Sequence, residues 1–131
     1  MGLDLKNIFD YSENAVQGTM SKDSVSSLDL KITEDNVYLN GGEILYQDAV
    51  WGDYITMQVV DIDNVLGYGA NTVLKEYIHK RYIHPELKSD EVCLPYAGMA
   101  PKNTYLRLKY TSVGTTNDVK VAANYYLHEM E

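Results

Sequence analysis

Two carboxylates stand together after an apolar stretch, in the run DIDN from residue 61 to 64. Alternating carboxylates at a strand end supply the hard oxygen ligands that Ca²⁺ and Mn²⁺ prefer. We therefore predict a candidate calcium site at Asp61 and Asp63. The run departs from the EF-hand loop, which needs glycine where Leu66 stands and glutamate where Thr72 stands. The alternative is that these side chains end the strand and hydrogen-bond the following turn.

Other reactive residue types form no recognisable catalytic pattern. Glu76, His79 and His84 could cluster as metal ligands, but they match no zinc-ligand spacing, so we favour a solvated helix face as the interpretation. Serine and histidine are present without a nucleophile motif such as G-x-S-x-G. Cys93 is the one cysteine, which excludes an intrachain disulfide. We predict no catalysis and no cofactor.

Aromatic residues are the main compositional feature, with 12 tyrosines against one Phe and one Trp. Tyrosine suits half-buried strand faces and interface rims, because the ring packs while the hydroxyl stays hydrogen-bonded. We predict Trp51 and Tyr68 as interface residues. A face of aromatic rings that stacks on sugars remains open as an alternative.

The stretch from Trp51 to Pro85 organises the chain. Residues 54–62 alternate over two usable faces, which predicts a central strand covered partly on both sides. After the turn Gly67-Tyr68-Gly69, apolar residues recur at spacings of three to four, which predicts one helix over about 71–83. The helix would begin at Asn71 as its N-cap and would carry the apolar stripe Val73, Leu74, Tyr77, Ile78 and Tyr82.

The patterns in the remaining segments predict β-hairpins. The run Asn40-Gly41-Gly42 predicts a tight turn between two strands. Residues 104–129 alternate between apolar and polar side chains on either side of a turn at Gly114–Asp118, which predicts a terminal hairpin. The fold class is therefore mainly β, within α+β: an antiparallel β-sandwich or sheet with one helix packed on it.

The first 27 residues differ from the rest in composition. They contain few large apolar groups and end in SKDSVSS, so we predict a weakly ordered N-terminal arm over 1–27 and a single β-rich domain over 28–131. Leu5, Ile8 and Phe9 could form a docking patch within the arm. We predict that these three residues contact a partner, with a neighbouring subunit as one possibility.

The formal net charge of -8 restricts the partners. Nucleic acids and anionic membranes are bound through Lys and Arg, so neither is expected here. No apolar run reaches the roughly 18 to 20 residues of a membrane helix, and the first residues lack the basic start and apolar core of a signal peptide. We expect the protein to be used inside the cell that makes it.

Three stretches give the chain a resemblance to small virion structural proteins of tailed bacteriophages. They are WGDYITMQVVD, DNVLGYGANTVLKEYIHKRYIHP and YLRLKYTSVGTTNDVKVAANYYLH, which together cover roughly half of the sequence. The resemblance implies a symmetric, repeating β-rich unit that assembles in the host cytoplasm into the virion. It implies a capsid decoration or stabilising protein that contacts copies of itself and other virion proteins such as the major capsid protein.

Other functions stay open at this point. The same resemblance also allows a phage tail or head-tail accessory protein. A carbohydrate-binding β-sandwich module, calcium-assisted through Asp61 and Asp63, is the alternative from a different class. A small enzyme is the third possibility, and no residue pattern supports it.

Overall fold

The computed structural model describes residues 14–35, 37–87, 89–93 and 99–129. Within these ranges the chain forms β-strands, turns and bends, and no helix. It therefore also contains, in its described part, no helix long and apolar enough to cross a membrane. The described residues contain nine strands: β1 (Ala15–Met20), β2 (Val25–Lys31), β3 (Val37–Gln47), β4 (Tyr54–Asp61), β5 (Thr72–Tyr82), β6 (Ser89–Cys93), β7 (Met99–Ala100), β8 (Tyr105–Thr111) and β9 (Val119–Glu129).

The strands form two antiparallel sheets that pack as a sandwich. One sheet has the order β1-β9-β3-β6, with the short β7 also paired to β3. The other has the order β2-β8-β4-β5. Every strand pair is antiparallel. The predicted antiparallel β-sandwich is confirmed.

The pairing is nested along the chain. β4 pairs with β5, and outside this pair lie in turn β3 with β6, β2 with β8, and β1 with β9. This arrangement results when one long two-stranded hairpin wraps around a core. Its strand pairs are then divided between the two sheets. It is the jelly-roll arrangement, which keeps unpaired sheet edges few.

Wrapping gathers the loops at the two ends of the sandwich. At the end where β4 begins, the Ser112 N–H donates to Ser24 O at 2.9 Å and the Ile83 N–H donates to Asp53 O at 2.9 Å. At the end where β4 finishes, the Ile32 N–H donates to Thr104 O at 2.8 Å. We call these the β4-start end and the β4-finish end.

The core lies between the sheets and follows the alternation of the strands. In β8, Leu106, Leu108 and Tyr110 are buried while the residues between them are half-exposed. β4 is buried along all but its first residue, and it lies between β8 and β5 in its sheet. The predicted central strand is therefore confirmed.

The predicted helix over 71–83 is wrong, because these residues form strand β5. Three register shifts against β4 put extra residues into β5, so its inward side chains do not alternate strictly. Three of its side chains pack on the core, Leu74, Tyr77 and Ile78. Their spacing of three and one resembles the spacing of apolar residues on one face of a helix. Asn71 has φ of 61° and lies in the turn before β5, so it caps no helix.

The predicted turn at Asn40-Gly41-Gly42 is also wrong, since β3 runs through it from Val37 to Gln47. The register of β3 against β9 shifts between Leu39 and Gly41, which is a β-bulge. Glycine inside a strand frequently marks such a bulge or a close approach of another backbone. Here a Cβ on Gly41 would lie 1.9 Å from the carbonyl oxygen of Val92 on β6.

The predicted terminal hairpin pairs differently. Its two strands exist as β8 and β9, but they lie in opposite sheets and pair with β2 and β1. Leu5, Ile8 and Phe9 of the predicted arm lie outside the described residues. Residues 15–20 of that arm form β1, whose partner is β9.

Candidate assembly surfaces

Exposed apolar side chains collect at the β4-start end. The side chain of Trp51 is 59% exposed, and its ring meets the ring of His84 edge-on at 5.5 Å. Val50 and Val113 are exposed beside it, where the turns around Gly52 and Gly114 bring them together. Leu87, whose N–H donates to His84 O, is 67% exposed. We call Val50, Trp51, His84, Leu87 and Val113 the Trp51 surface.

A buried carboxylate holds this surface in place. Asp53 is fully buried and follows Trp51 by two residues. Its Oδ2 accepts from the Tyr110 hydroxyl at 2.6 Å and from the Val50 N–H at 3.2 Å, and its Oδ1 accepts from the Val113 N–H at 2.8 Å. Two of these donors belong to exposed residues of the Trp51 surface. The network therefore fixes the backbone of two loops that display apolar side chains.

A second group of exposed apolar side chains lies at the β4-finish end. The loop from residue 62 to 71 joins β4 to β5 and holds Val65, Leu66 and Tyr68, which are 46%, 43% and 77% exposed. We call these three residues the Tyr68 surface. The strand β4 between the two surfaces has eight residues, so they lie about 25 Å apart.

Another buried carboxylate builds the loop of the Tyr68 surface. Asp61 is fully buried, and its two oxygens accept from the N–H groups of Val65 at 2.9 Å and Leu66 at 3.0 Å. Asn64 Oδ1 accepts from the Gly69 N–H at 2.8 Å, which closes the turn. The displayed side chains therefore sit on a backbone that is pinned from within.

The two carboxylates of the candidate calcium site have separate partners. Asp63 is exposed, and its Oδ2 accepts from the Tyr105 hydroxyl at 3.0 Å. Among the described residues no group of three His, Cys, Asp or Glu side chains could hold a metal ion. The contacts of Asp61 match the alternative in which it ends the strand and hydrogen-bonds the turn. Calcium binding at Asp61 and Asp63 stays a prediction.

Replacing Asp61 tests which role it has. Asp61→Ala is expected to lower the free energy of unfolding by about 2–3 kcal/mol, because two buried backbone donors lose their acceptor. Asp63→Ala is the matched control and should change stability by less than about 1 kcal/mol, since its side chain is exposed. Urea unfolding with and without Ca²⁺ measures both. A calcium-dependent rise in stability that both substitutions remove would favour the metal site instead.

The other reactive residues are divided between two places. Glu76 and His79 lie together on β5, where His79 Nδ1 is 2.8 Å from Glu76 Oε2 and Gln58 donates to Glu76 Oε1 at 3.0 Å. These hydrogen bonds lower the pKa of Glu76, with the Gln58 amide as the main cause. His84 lies at the Trp51 surface, and Cys93 is exposed at the end of β6. The three predicted candidate ligands therefore do not converge.

Half-buried Tyr54 and exposed Tyr82, neighbours on the second sheet, do not form a flat platform. The rings of Tyr54 and Tyr82 are 5.9 Å apart and inclined by 69°. The ammonium group of Lys80 lies over both rings, at 4.4 Å and 5.2 Å. A sugar would have to displace this lysine to stack on either of these faces.

The buried tyrosines predict a loss of stability at high pH. Burial raises the pKa of Tyr110, Tyr125, Tyr46 and Tyr77, and the hydrogen bond to Asp53 adds to the effect at Tyr110. A folded-state pKa above the unfolded value near 10 means that the stabilisation is complete below about pH 10 and is lost as the pH rises above it. Each such tyrosine steepens the decline by up to about 1.4 kcal/mol per pH unit.

Denaturant unfolding between about pH 8 and 11.5 measures this decline. Tyr110→Phe should make the slope above pH 10 shallower by the contribution of one tyrosine, although it lowers stability at neutral pH. An identical slope in the variant and the parent chain would contradict the assignment of Tyr110 as a tyrosine that is kept protonated by the fold.

Trp51 and Tyr68 were predicted from sequence as interface residues, and that role stays a prediction, whereas Asp53 was not singled out. The signal was present, since an aspartate directly before a strand, after a Trp-Gly turn, is well placed to accept from turn N–H groups. Its partners Val113 and Tyr110 follow 60 and 57 residues later, so no local pattern connects them. Trp51 and Tyr68 are both exposed, at opposite ends of the sandwich.

Comparisons with known proteins give a likeness of structure and no match of sequence. No protein-family model matches the sequence, and no curated protein matches it. Among solved structures, a chain of the structure of infectious bursal disease virus, Gx strain, is similar with a TM-score of 0.45 and 10% sequence identity. The likeness covers 86% of the present chain and 31% of the viral chain, so this chain spans under a third of that length.

Proposed function

We propose that the protein is a non-enzymatic structural component of a virus particle that assembles with copies of itself and with other virion proteins. The finer assignment is a phage capsid decoration or stabilising protein that contacts the major capsid protein. The observation that carries the proposal is the pair of apolar surfaces at opposite ends of the sandwich, each fixed by a fully buried aspartate.

The cost of exposing these side chains supports an interaction role. Grouped apolar residues on a folded surface mark sites of contact more often than scattered ones do. In both surfaces the backbone is held by buried hydrogen bonds, so the apolar side chains cannot turn inward without breaking them. Pre-ordered contact groups lower the entropic cost of association.

The placement of the surfaces supports a repeating assembly. The Trp51 surface and the Tyr68 surface differ in composition and point to opposite ends, so two copies can meet head to tail. A contact between two different surfaces generates a ring if the rotation closes and an extended array if it does not. Capsid and lectin domains share the jelly-roll architecture, which is consistent with this use.

The charge fits protein partners better than nucleic acid. With a formal net charge of -8, the chain is suited to basic protein surfaces and is repelled by phosphates. We therefore place it at protein contacts of the particle and give it no role in binding the genome.

Substitutions in both surfaces test the proposal. Trp51→Ser with Tyr68→Ser should abolish self-association of the purified chain, as measured by sedimentation velocity over a range of concentrations. Val25→Ser is the matched control, because Val25 is 58% exposed on β2 and belongs to neither surface. The control should associate like the parent chain. Equal association of the double variant and the parent would contradict the proposal, provided that both keep the same circular dichroism spectrum.

A further inference from the structure

A cleft of about 320 Å³ lies on the outer face of the second sheet, where β8, β4 and β5 run side by side. Its walls include six polar or aromatic side chains, Tyr54, Thr56, Glu76, His79, Lys80 and Lys109. We call it the Lys109 cleft. Its volume is near the lower end of the roughly 300–1,000 Å³ of ligand pockets, which suits a small molecule.

The Lys109 cleft is positively charged on an acidic protein. Lys80 and Lys109 supply two ammonium groups against the one carboxylate of Glu76, so one positive charge is in excess. Among the described residues, neither lysine forms an ion pair with a carboxylate. The chain as a whole has a formal net charge of -8. A local excess of positive charge attracts an anion in spite of that total, and here it matches a ligand with one negative charge.

The two lysines are held on neighbouring strands. Lys109 on β8 is half-buried, and its cross-strand neighbour on β4 is Thr56. The ammonium group of Lys80 on β5 lies over the rings of Tyr54 and Tyr82, at 4.4 Å and 5.2 Å, where cation–π attraction holds it. Because an ammonium group has three donors, both lysines can donate hydrogen bonds to a bound anion.

The same cleft offers hydrogen-bond acceptors. Gln58 donates to Glu76 Oε1 at 3.0 Å, and His79 Nδ1 lies 2.8 Å from Glu76 Oε2. Since an ionised carboxylate only accepts, Nδ1 carries the hydrogen, and Nε2 of the neutral ring is an acceptor. The Thr56 hydroxyl donates to His79 O at 2.6 Å, which fixes the backbone at this point. Acceptors that are held in this way can bind the hydroxyl groups of a ligand.

We propose that the Lys109 cleft binds a small acid with one negative charge and several hydroxyl groups, and that its chemical class is an acidic sugar. The carboxylate of the sugar binds Lys80 and Lys109, and its hydroxyl groups donate to Glu76 and His79. A phosphate monoester, with a charge of about -1.5 to -2, matches the excess charge less well. The site is complete in one copy of the chain, so it does not depend on the proposed assembly function.

A chemical-shift titration of the isotope-labelled protein with glucuronate tests the proposal. The shifts should saturate in the low millimolar range and be largest at the amides of Thr56, His79 and Lys109. Glucose lacks the carboxylate and acetate lacks the hydroxyl groups, so each should bind at least about tenfold more weakly. No saturable shift up to about 100 mM glucuronate overturns the proposal, and so does an equal affinity for either control compound.

Two lysine substitutions locate the site. Lys109→Met removes the ammonium group but keeps an aliphatic side chain, and it should weaken glucuronate binding at least about tenfold. Lys75→Met is the matched control, because it removes the same charge from β5 outside the cleft, where Lys75 lies 5.0 Å from the Tyr77 ring. This control should bind glucuronate like the parent chain, and both variants should keep the circular dichroism spectrum of the parent.

Two results would contradict the assignment of the site. Equal weakening in the Lys75→Met and Lys109→Met variants would mean that glucuronate responds to the overall charge and not to the cleft. Shifts at the Lys109 amide that grow with protein concentration in the absence of sugar would place an acidic group of a second copy in the cleft. Sedimentation velocity measures self-association separately, so a failure of sugar binding and a failure of assembly are distinguished.

Discussion

Asp53→Ala is expected to lower the free energy of unfolding by about 3–5 kcal/mol, the largest loss that we foresee for a single side chain. The substitution leaves the N–H groups of Val50 and Val113 and the hydroxyl of Tyr110 without their acceptor inside a fully buried site. A hydrogen bond to a charged group contributes about 1.5–3 kcal/mol, and an unsatisfied buried donor costs a similar amount. Against a typical total of about 5–15 kcal/mol, this can prevent folding at moderate temperature.

Two companion variants separate the hydrogen bonds from the volume of the side chain. Asp53→Asn keeps the shape of the side chain, but its NH₂ group would face at least one of the three donors that Asp53 accepts from. We therefore expect a loss of unfolding free energy between those of the other two variants. Glu86→Ala removes an exposed acid at the same end of the sandwich and should change stability by less than about 0.5 kcal/mol. Urea unfolding at neutral pH measures all three. An Asp53→Ala loss no larger than that of Glu86→Ala would contradict the role of Asp53.

Gly41→Ala is expected to cost more than about 3 kcal/mol and to disturb the pairing of β3 with β6. The backbone of Gly41 has φ of 138°, a conformation that side chains rarely adopt. An added Cβ would also lie 1.9 Å from Val92 O and 2.9 Å from Val92 C, which are backbone atoms and cannot rotate away. Strand β6 would have to move off β3, and the buried Val92 with it.

Gly67→Ala is the matched control, because it isolates the cost of the backbone conformation. Gly67 has φ of 89°, and an added Cβ there meets no atom within 4 Å. We expect a loss of about 1–2 kcal/mol from strain alone. Unfolding free energies show the difference directly, and hydrogen exchange at β6 reports the pairing. Similar losses for the two alanine variants would mean that β3 and β6 are not packed as closely as the structure indicates.

The strands that alternate strictly were predictable from sequence. β8 keeps period two over its whole length, and β9 pairs with β1 and β3 without extra residues of its own. β4 was recognised because both its faces carry side chains that can be buried, with Ile55, Met57 and Val59 on one face. Local sequence patterns predicted these strands because their pairing with neighbouring strands is regular.

The bulged strands were mispredicted for a physical reason. Extra residues in β5 change which side chains face the core, so Leu74, Tyr77 and Ile78 follow neither period two nor a true helical period. In β3 the glycine that looks like a turn residue is a point of close backbone approach. The conformation of β5 and that of β3 at Gly41 each depend on a neighbouring strand. That strand is distant in the sequence, so local patterns carry no information about it.

The topology and the candidate surfaces needed the three-dimensional structure. Nested pairing joins β1 to β9 and β2 to β8 across most of the chain, and consecutive strands such as β8 and β9 separate into different sheets. The sequence singled out Trp51 and Tyr68 by their type. That each one lies on a loop fixed by a buried aspartate, at opposite ends of one strand, follows only from the fold.

The most direct test of the proposed assembly is the molar mass of the purified protein in solution. Light scattering coupled to size exclusion should give a mass above that of one 14.8 kDa chain, rising with concentration and unchanged by Ca²⁺. That result is expected if the Trp51 and Tyr68 surfaces bind one another between copies. A mass of one chain at every concentration up to about 1 mM, where a contact of about -4 kcal/mol would be half formed, would contradict it.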